Sequence, residues 1–356
     1  MPHCGEPLDP RQSVMLIGSW LGQRMQFGQL KRREFITLLG GTAAWPLGAR
    51  GQQSAMPVVG YFGISSPEVF ASRLQAFRQA LAETGLHEGR NVTIDYHWAH
   101  SRFDRLPSLA SGLVGRRPTV IVAAGSTAAA LAVKTATTTI PIVFEIGGDP
   151  LADGVVSSLS RPGGNITGVT SLNVEVNPKR LELLHELIPN VKTVGLLVNP
   201  ADRIVTEPLL PQMRAAARML GLELHILQVG AEADIEPAFA RLAELGAGGL
   251  VIASGSFFVS QGPRLATLAL RHGVPATFYT REFADAGGLA SYGGNLTESH
   301  RLSGHYAGRI LKGENPGDLP VQQVTRVELI INLRSAKALG IDVPRQLIAR
   351  ADEVIE

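Results

Sequence analysis

The chain has 356 residues, of which 45% are hydrophobic and 18% charged; this is enough apolar material for full cores and excludes a disordered or charge-driven chain. Glycine (39) and proline (22) follow no fixed period, which excludes collagen-like and coiled-coil architectures. The formal charge of +2 comes from the front: residues 1–51 hold six Lys/Arg against three acids, leaving 27 basic and 28 acidic residues behind them, so the main body carries no nucleic-acid-type basic excess.

In chain order, the first feature is a leader. Lys31-Arg32-Arg33-Glu34-Phe35 precedes an uncharged stretch from Ile36 to Leu47, and Ala49-Arg50-Gly51 offers a small-x-small exit. A basic region, a short apolar region and such an exit make an export signal. The adjacent arginines, with Phe two places on, resemble the twin-arginine signal. The apolar stretch is too short to span a bilayer as a helix. Met25 opens a conventional leader at 25–51, so residues 1–24 are expected to be dispensable. The one cysteine, Cys4, lies in that segment. The mature chain is therefore expected to have no cysteine, and none stands at the cleavage point for lipid anchoring.

From Met56 onward short β-rich runs alternate with helical patterns. Val58 to Phe62 predicts a strand, and Phe70, Leu74, Phe77 and Leu81 line one helix face that ends at Gly85. Val92 to Tyr96 alternates as a second strand. Val120–Ala124 and Pro141–Ile146 are continuous apolar runs, the mark of parallel strands buried on both faces. Ile166–Thr170 closes this set.

A second set follows. Leu181, Leu184, Leu187 and Ile188 line a helix, Val194–Val198 and Leu224–Leu227 read as strands, and Ile235, Phe239, Leu242 and Leu245 line another helix. Leu250–Ala253 and Ala276–Tyr279 complete it. This alternation predicts an α/β fold of two doubly wound parallel-sheet lobes. The expected lobes are 57–170 plus 290–319 and 171–289 plus 320–356. They are joined at Thr170–Asn173 and at a glycine-rich return, Gly287–Gly294, so Thr170, Asn173, Gly288 and Gly293 are the expected hinge residues.

Ligands in open α/β sheets sit beyond the carboxyl ends of the strands. The residues expected there are Ser65, Ser66, Ser126, Thr127 and Asp149 in the first lobe, and Asn199, Asp202, Ser254, Ser256 and Phe257 in the second. Gly125-Ser126-Thr127 opens an Ala-rich helix whose free N–H groups suit an anion, although plain N-capping explains the same residues. Asp149-Pro150 likewise reads as an ordinary helix start. Tyr61, Phe257, Phe258 and Tyr292 are candidates to stack on a ring, with core packing as the simpler reading. No G-x-S-x-G elbow or P-loop occurs, and Gly246-Ala247-Gly248-Gly249 precedes a strand instead of following one, the wrong context for a dinucleotide site. The pairs His97/His100 and His300/His305 lack the further ligands a metal requires. No catalytic residues, metal or cofactor are therefore expected.

Several motifs together resemble the ABC-transporter substrate-binding family that includes tryptophan/tyrosine-type binding proteins, of the type 1 periplasmic-binding fold. They are Asp149-Pro150-Leu151, Arg161-Pro162-Gly163-Gly164-Asn165-Ile166-Thr167-Gly168, the run Gly287–Gly293, Tyr306-x-x-x-Ile310-Leu311-Lys312-Gly313, Asp318-Leu319-Pro320-Val321, the terminal Ala351–Glu356, and the leader from Arg32 to Gln53. One departure is Ser254-Gly255-Ser256-Phe257-Phe258, where relatives often carry an acidic stretch. The resemblance implies a periplasmic, non-enzymatic receptor that closes two lobes over a small organic solute, amino-acid-like or an aromatic carboxylate, and serves an ABC permease, with no nucleic-acid partner. The alternatives are an exported or sensory binding protein of the same fold not coupled to transport, and an exported enzyme.

Overall fold

The computed structural model describes residues 56–356; the leader at 1–51 and Cys4 lie outside them. The first sheet is built of β1 (Val58–Gly63), β2 (Thr93–Trp98), β3 (Val120–Ala124), β4 (Ile142–Ile146), β5 (Ile166–Thr170) and β11 (Gln322–Gln323). Its order is β11-β5-β4-β3-β1-β2, parallel throughout. The second contains β6 (Thr193–Val198), β7 (Glu223–Gln228), β8 (Gly249–Ile252), β9 (Ala276–Phe278), β10 (Ala290–Gly294), β12 (Val327–Asn332) and β13 (Glu353–Ile355). It runs β13-β12-β10-β9-β8-β6-β7, antiparallel only where β10 meets β12.

Helices cover both faces of each sheet, as buried parallel strands require. In the first lobe, α1 (Ala71–Glu83) and α10 (Leu296–Leu311) lie on one face, α2 (Leu106–Gly115) and α3 (Thr127–Ala136) on the other. Strand alternation separates the two cores. Tyr61 and Val122 meet Leu74, Phe77 and Ile310, whereas Phe62 and Ala123 meet Leu113 and Ala130. In the second lobe α4 (Asn177–Leu187) and α5 (Arg203–Met219) oppose α6 (Ile235–Glu244), α7 (Ser256–Ser260), α8 (Gly262–Arg271) and α9 (Arg281–Asp285). The short α11 (Leu333–Ala338) and α12 (Arg345–Arg350) flank the last strands. Helix α10 approaches α1 closely because Gly304 and Gly308, four apart on one face, admit the Phe77 carbonyl and Thr84.

Three connections link the sheets: β5 to α4, β10 to α10, and β11 to β12. The first runs through Thr170–Asn173. They run side by side. The Asn173 Oδ1 accepts from the Gly294 N–H at 2.7 Å, and the Thr170 carbonyl accepts from the Val324 N–H at 2.9 Å. Between them Leu172 holds φ +51°, a left-handed backbone that costs a leucine about 1 kcal/mol or more.

Two boundaries differ from expectation. Residues 290–294 were expected in the first lobe, but they pair with β9 and β12 in the second sheet, so the return follows Gly294. Gln322–Gln323 was expected in the second lobe and instead edges the first sheet. The glycines misled because they mark close packing as well as freedom. A Cβ on Gly293 would stand 2.3 Å from the Tyr279 carbonyl oxygen. One on Gly288 would stand 2.1 Å from the Phe283 ring, inside the second lobe and away from any crossing.

Candidate ligand cleft

The carboxyl ends of both sheets face one cleft of about 570 Å³ of empty space, counted to its mouth. The first lobe contributes Phe70 just before α1 and Arg73 within it, Gly125 to Thr127 after β3, Glu145 of β4 with Gly147-Gly148 beyond its end, and Leu296 and His300 from α10. The second contributes Asp202 and Val205, Ser254 to Ser256, Val259 and Tyr279. Ser171, Asn173 and Val174, from the first crossing, form the floor. Gly125 takes φ +85° and its bare Cα admits the Phe70 ring, where a Cβ would lie 2.6 Å away.

Five expected ligand residues meet here: Ser126, Thr127, Asp202, Ser254 and Ser256. Three of their hydroxyls already have work. Ser126 Oγ accepts from the Ala128 N–H at 3.2 Å, capping α3, and Thr127 Oγ1 donates to Asp153 Oδ2 at 3.1 Å. Ser254 Oγ donates to the Asn173 carbonyl at 2.8 Å. Ser256 Oγ is buried with no partner.

The other six do not line the cleft. The Ser65 and Ser66 carbonyls accept from His100 and Phe70 in the turn after β1. Asp149 Oδ1 accepts from the Leu151 and Ala152 N–H groups, a turn cap without a following helix. Asn199 Oδ1 accepts from the Ala201 N–H. Phe257 packs on Phe258 in the second core, with ring centroids 5.3 Å apart. Tyr292 packs beside Leu329 and Ile331, and Tyr61 is wholly buried against Phe77. For these aromatics core packing prevails.

Charged and titratable groups stand in the wall, and sequence reasoning passed over two of them, Arg73 and Glu145. Arg73 is 2% exposed, donates to Glu282 Oε1 of the second lobe at 3.2 Å, and keeps its Nε–H unpartnered. Glu145, equally buried, accepts from the Gly125 N–H at 3.0 Å and from Ser299 Oγ at 2.7 Å. Burial pushes the Asp202 carboxyl up to about 7. Burial also holds the His300 imidazole below its usual value, against the opposing pull of Glu145. His305, its neighbour in sequence, meets Glu83 at 3.1 Å outside the cleft.

Behind the floor lies Arg180, fully buried, its affinity for a proton lowered to about 9 by desolvation. It donates to the Tyr292 carbonyl at 2.7 Å, the Asn173 carbonyl at 2.6 Å, Ser254 Oγ at 3.1 Å and Asn177 Oδ1, all neutral acceptors. These bonds fix the carbonyl of the crossing residue to α4 and β10 of the second lobe.

The sequence carried signals for some of these groups. Arg73 falls on the same helix face as Phe70 and Phe77, an unusual place for a cation, and Glu145 interrupts a buried strand that reads Ile-Val-Phe-Glu-Ile.

Residues 63–355 match the family model described as ABC transporter substrate binding protein. The chain belongs to that family. Over 266 residues it is 28% identical to a curated tyrosine-binding protein of Clostridioides difficile, covering 74% of this chain and 75% of that one. A solved conserved domain protein from Vibrio cholerae is 28% identical, with TM-score 0.76, covering 84% of this chain and 99% of the other. An ABC domain from Streptococcus pneumoniae solved in complex with L-Trp shares the fold at TM-score 0.75 and 24% identity, with the same coverage. The expected two-lobed α/β fold and the substrate-binding role of the family thus hold for this chain.

Proposed function

We propose that this substrate-binding protein is exported to the periplasm by the twin-arginine route, closes two lobes on a small organic solute, amino-acid-like or an aromatic carboxylate, and presents it to an ABC permease of the inner membrane. The observation that carries the proposal is the cleft itself: side chains from both lobes and from the first crossing converge on one space large enough for a single small molecule. Donors in the wall, the Arg73 Nε, Ser256 Oγ and the start of α3 at Ser126-Thr127, suit a carboxylate. The rings of Phe70 and Tyr279 suit an aromatic or apolar body. The relative described as tyrosine-binding supports that class. The three crossings supply a hinge about which the lobes rotate.

Titration calorimetry with L-tyrosine, L-tryptophan and benzoate tests the ligand class; binding of at least one supports it, and binding of none overturns it. For export, N-terminal sequencing of the periplasmic form should find a start near Gln52. Replacing Arg32 and Arg33 by Lys should strand the protein in the cytoplasm, and a mature chain retaining both arginines would refute the leader.

A further inference from the structure

His300 and Glu145 face one another across the cleft wall in a way that leaves a place for a hydrogen-bond donor. His300 Nδ1 lies 2.9 Å from the Leu296 carbonyl oxygen. A carbonyl only accepts, so Nδ1 carries the hydrogen, and in the neutral ring Nε2 presents a lone pair. That Nε2 is buried, has no partner among the described residues, and stands 3.6 Å from Glu145 Oε2. Two acceptors therefore confront each other in a residue pair that is 1% and 2% exposed. An unsatisfied arrangement of this kind is rare in folded proteins and calls for a missing donor.

We propose that Glu145 and His300 form the ammonium subsite of the cleft, so that the solute is an amine, with a primary ammonium group bridging Glu145 Oε2 and His300 Nε2. The inference rests on the solute-receptor reading and narrows it: an amino acid fits, a plain aromatic carboxylate does not. A hydroxyl brings one hydrogen and serves only one of the two acceptors, whereas an ammonium brings three. Charge points the same way. Among the described residues the cation in the wall is Arg73, whose Nη2 pairs with Glu282 at 3.2 Å, and Arg180 is committed to neutral acceptors behind the floor. Glu145 has two neutral donors, Gly125 N–H and Ser299 Oγ, and among the described residues no Lys or Arg within ion-pair distance. Burial keeps that ring uncharged, which leaves its lone pair available.

Calorimetric titration compares three probes that differ only in their ends: L-tyrosine, tyramine and 3-(4-hydroxyphenyl)propionate, with the corresponding indole set alongside. Each amino acid should bind at least about thirtyfold more tightly than its deaminated acid, the worth of a charge-assisted bond in a buried site, and tyramine, which keeps the ammonium, should still bind. Glu145→Gln and His300→Gln should each shrink that ratio to about threefold or less. Deaminated acids that bind as tightly as the amino acids, or variants that keep full discrimination, would overturn the subsite while leaving the receptor reading intact. Failure of every probe would instead count against the aromatic class. A ligand-independent arm then decides the subsite: long-range nitrogen NMR of the imidazole at pH 7 in the free protein. A neutral ring with hydrogen on Nδ1 and a bare Nε2 is expected; hydrogen on Nε2, or a cationic ring, would overturn the inference.

Discussion

Replacing Gly304 by alanine should weaken the protein, whereas the same change at Gly112 should strengthen it. Both glycines lie within helices, so alanine restores up to about 1 kcal/mol of helix propensity at each. The surroundings differ. A Cβ on Gly304 would stand 2.4 Å from the Phe77 carbonyl oxygen and 3.0 Å from the Ala80 Cβ, whereas one on Gly112 meets nothing within 4 Å. The obstacle at Gly304 is backbone, which cannot rotate away, so α10 must move off α1 by roughly 1 Å, at an overpacking cost of about 1–3 kcal/mol. The net is a loss of about 1–2 kcal/mol for Gly304→Ala and a gain of about 0.5–1 kcal/mol for Gly112→Ala. Thermal melts of the two variants beside the parent should show shifts of a few degrees in opposite directions. The displacement also reaches the cleft, because α1 carries Arg73 and α10 carries Ser299 and His300. A Gly304→Ala protein that melts at or above the parent would refute the packing argument.

Other outcomes follow from the cleft. The Asp202 carboxyl is raised by burial, so its charged form is disfavoured in the folded state; stability should fall as pH rises from about 4 through 7, and Asp202→Asn should flatten that slope in melts at pH 5 and 8. A parent whose melting temperature rises over that interval relative to Asp202→Asn would contradict the sign. Asn173→Ala leaves the Gly294 N–H without its 2.7 Å acceptor and should cost about 1–3 kcal/mol in urea denaturation, the penalty of a buried unpaired donor. The Ser126→Ala, Thr127→Ala double variant should lose about 1 kcal/mol of stability from the missing cap but less than about tenfold in affinity, since both hydroxyls already serve protein partners. A hundredfold loss in calorimetry would show that they hold the solute directly.

Much of the scaffold was legible because its signals are local. Buried parallel strands such as Val120–Ala124 read as unbroken apolar runs, and the helix of Phe70, Leu74 and Phe77 reads by spacing. Helix α5 was not legible, since Pro208 and Pro211 within it break the usual pattern. Strand β10 hid behind its glycines, whose meaning depends on the Tyr279 and Ser171 backbone that approaches them. The site divided along the same line. Ser126 and Ser254 stand at the cleft, as strand ends read from sequence can, whereas Asp149 and Asn199 cap their own turns, as a strand-end polar residue equally can. Arg73 and His300 come from helices brought to the cleft by tertiary packing, and Arg180 from a helix in the second lobe, so no spacing along the chain joins them. What could have been noticed is the cost of burial: a cation on an apolar helix face and an acid inside an apolar strand both need a reason.

The central claim is that the two lobes rotate about the three crossings to enclose a solute. Small-angle X-ray scattering tests it most directly, on protein freed of solute by unfolding and refolding and again at saturation with whichever titrated solute binds. A smaller radius of gyration in the saturated sample is predicted; an unchanged radius with the solute demonstrably bound would contradict the account.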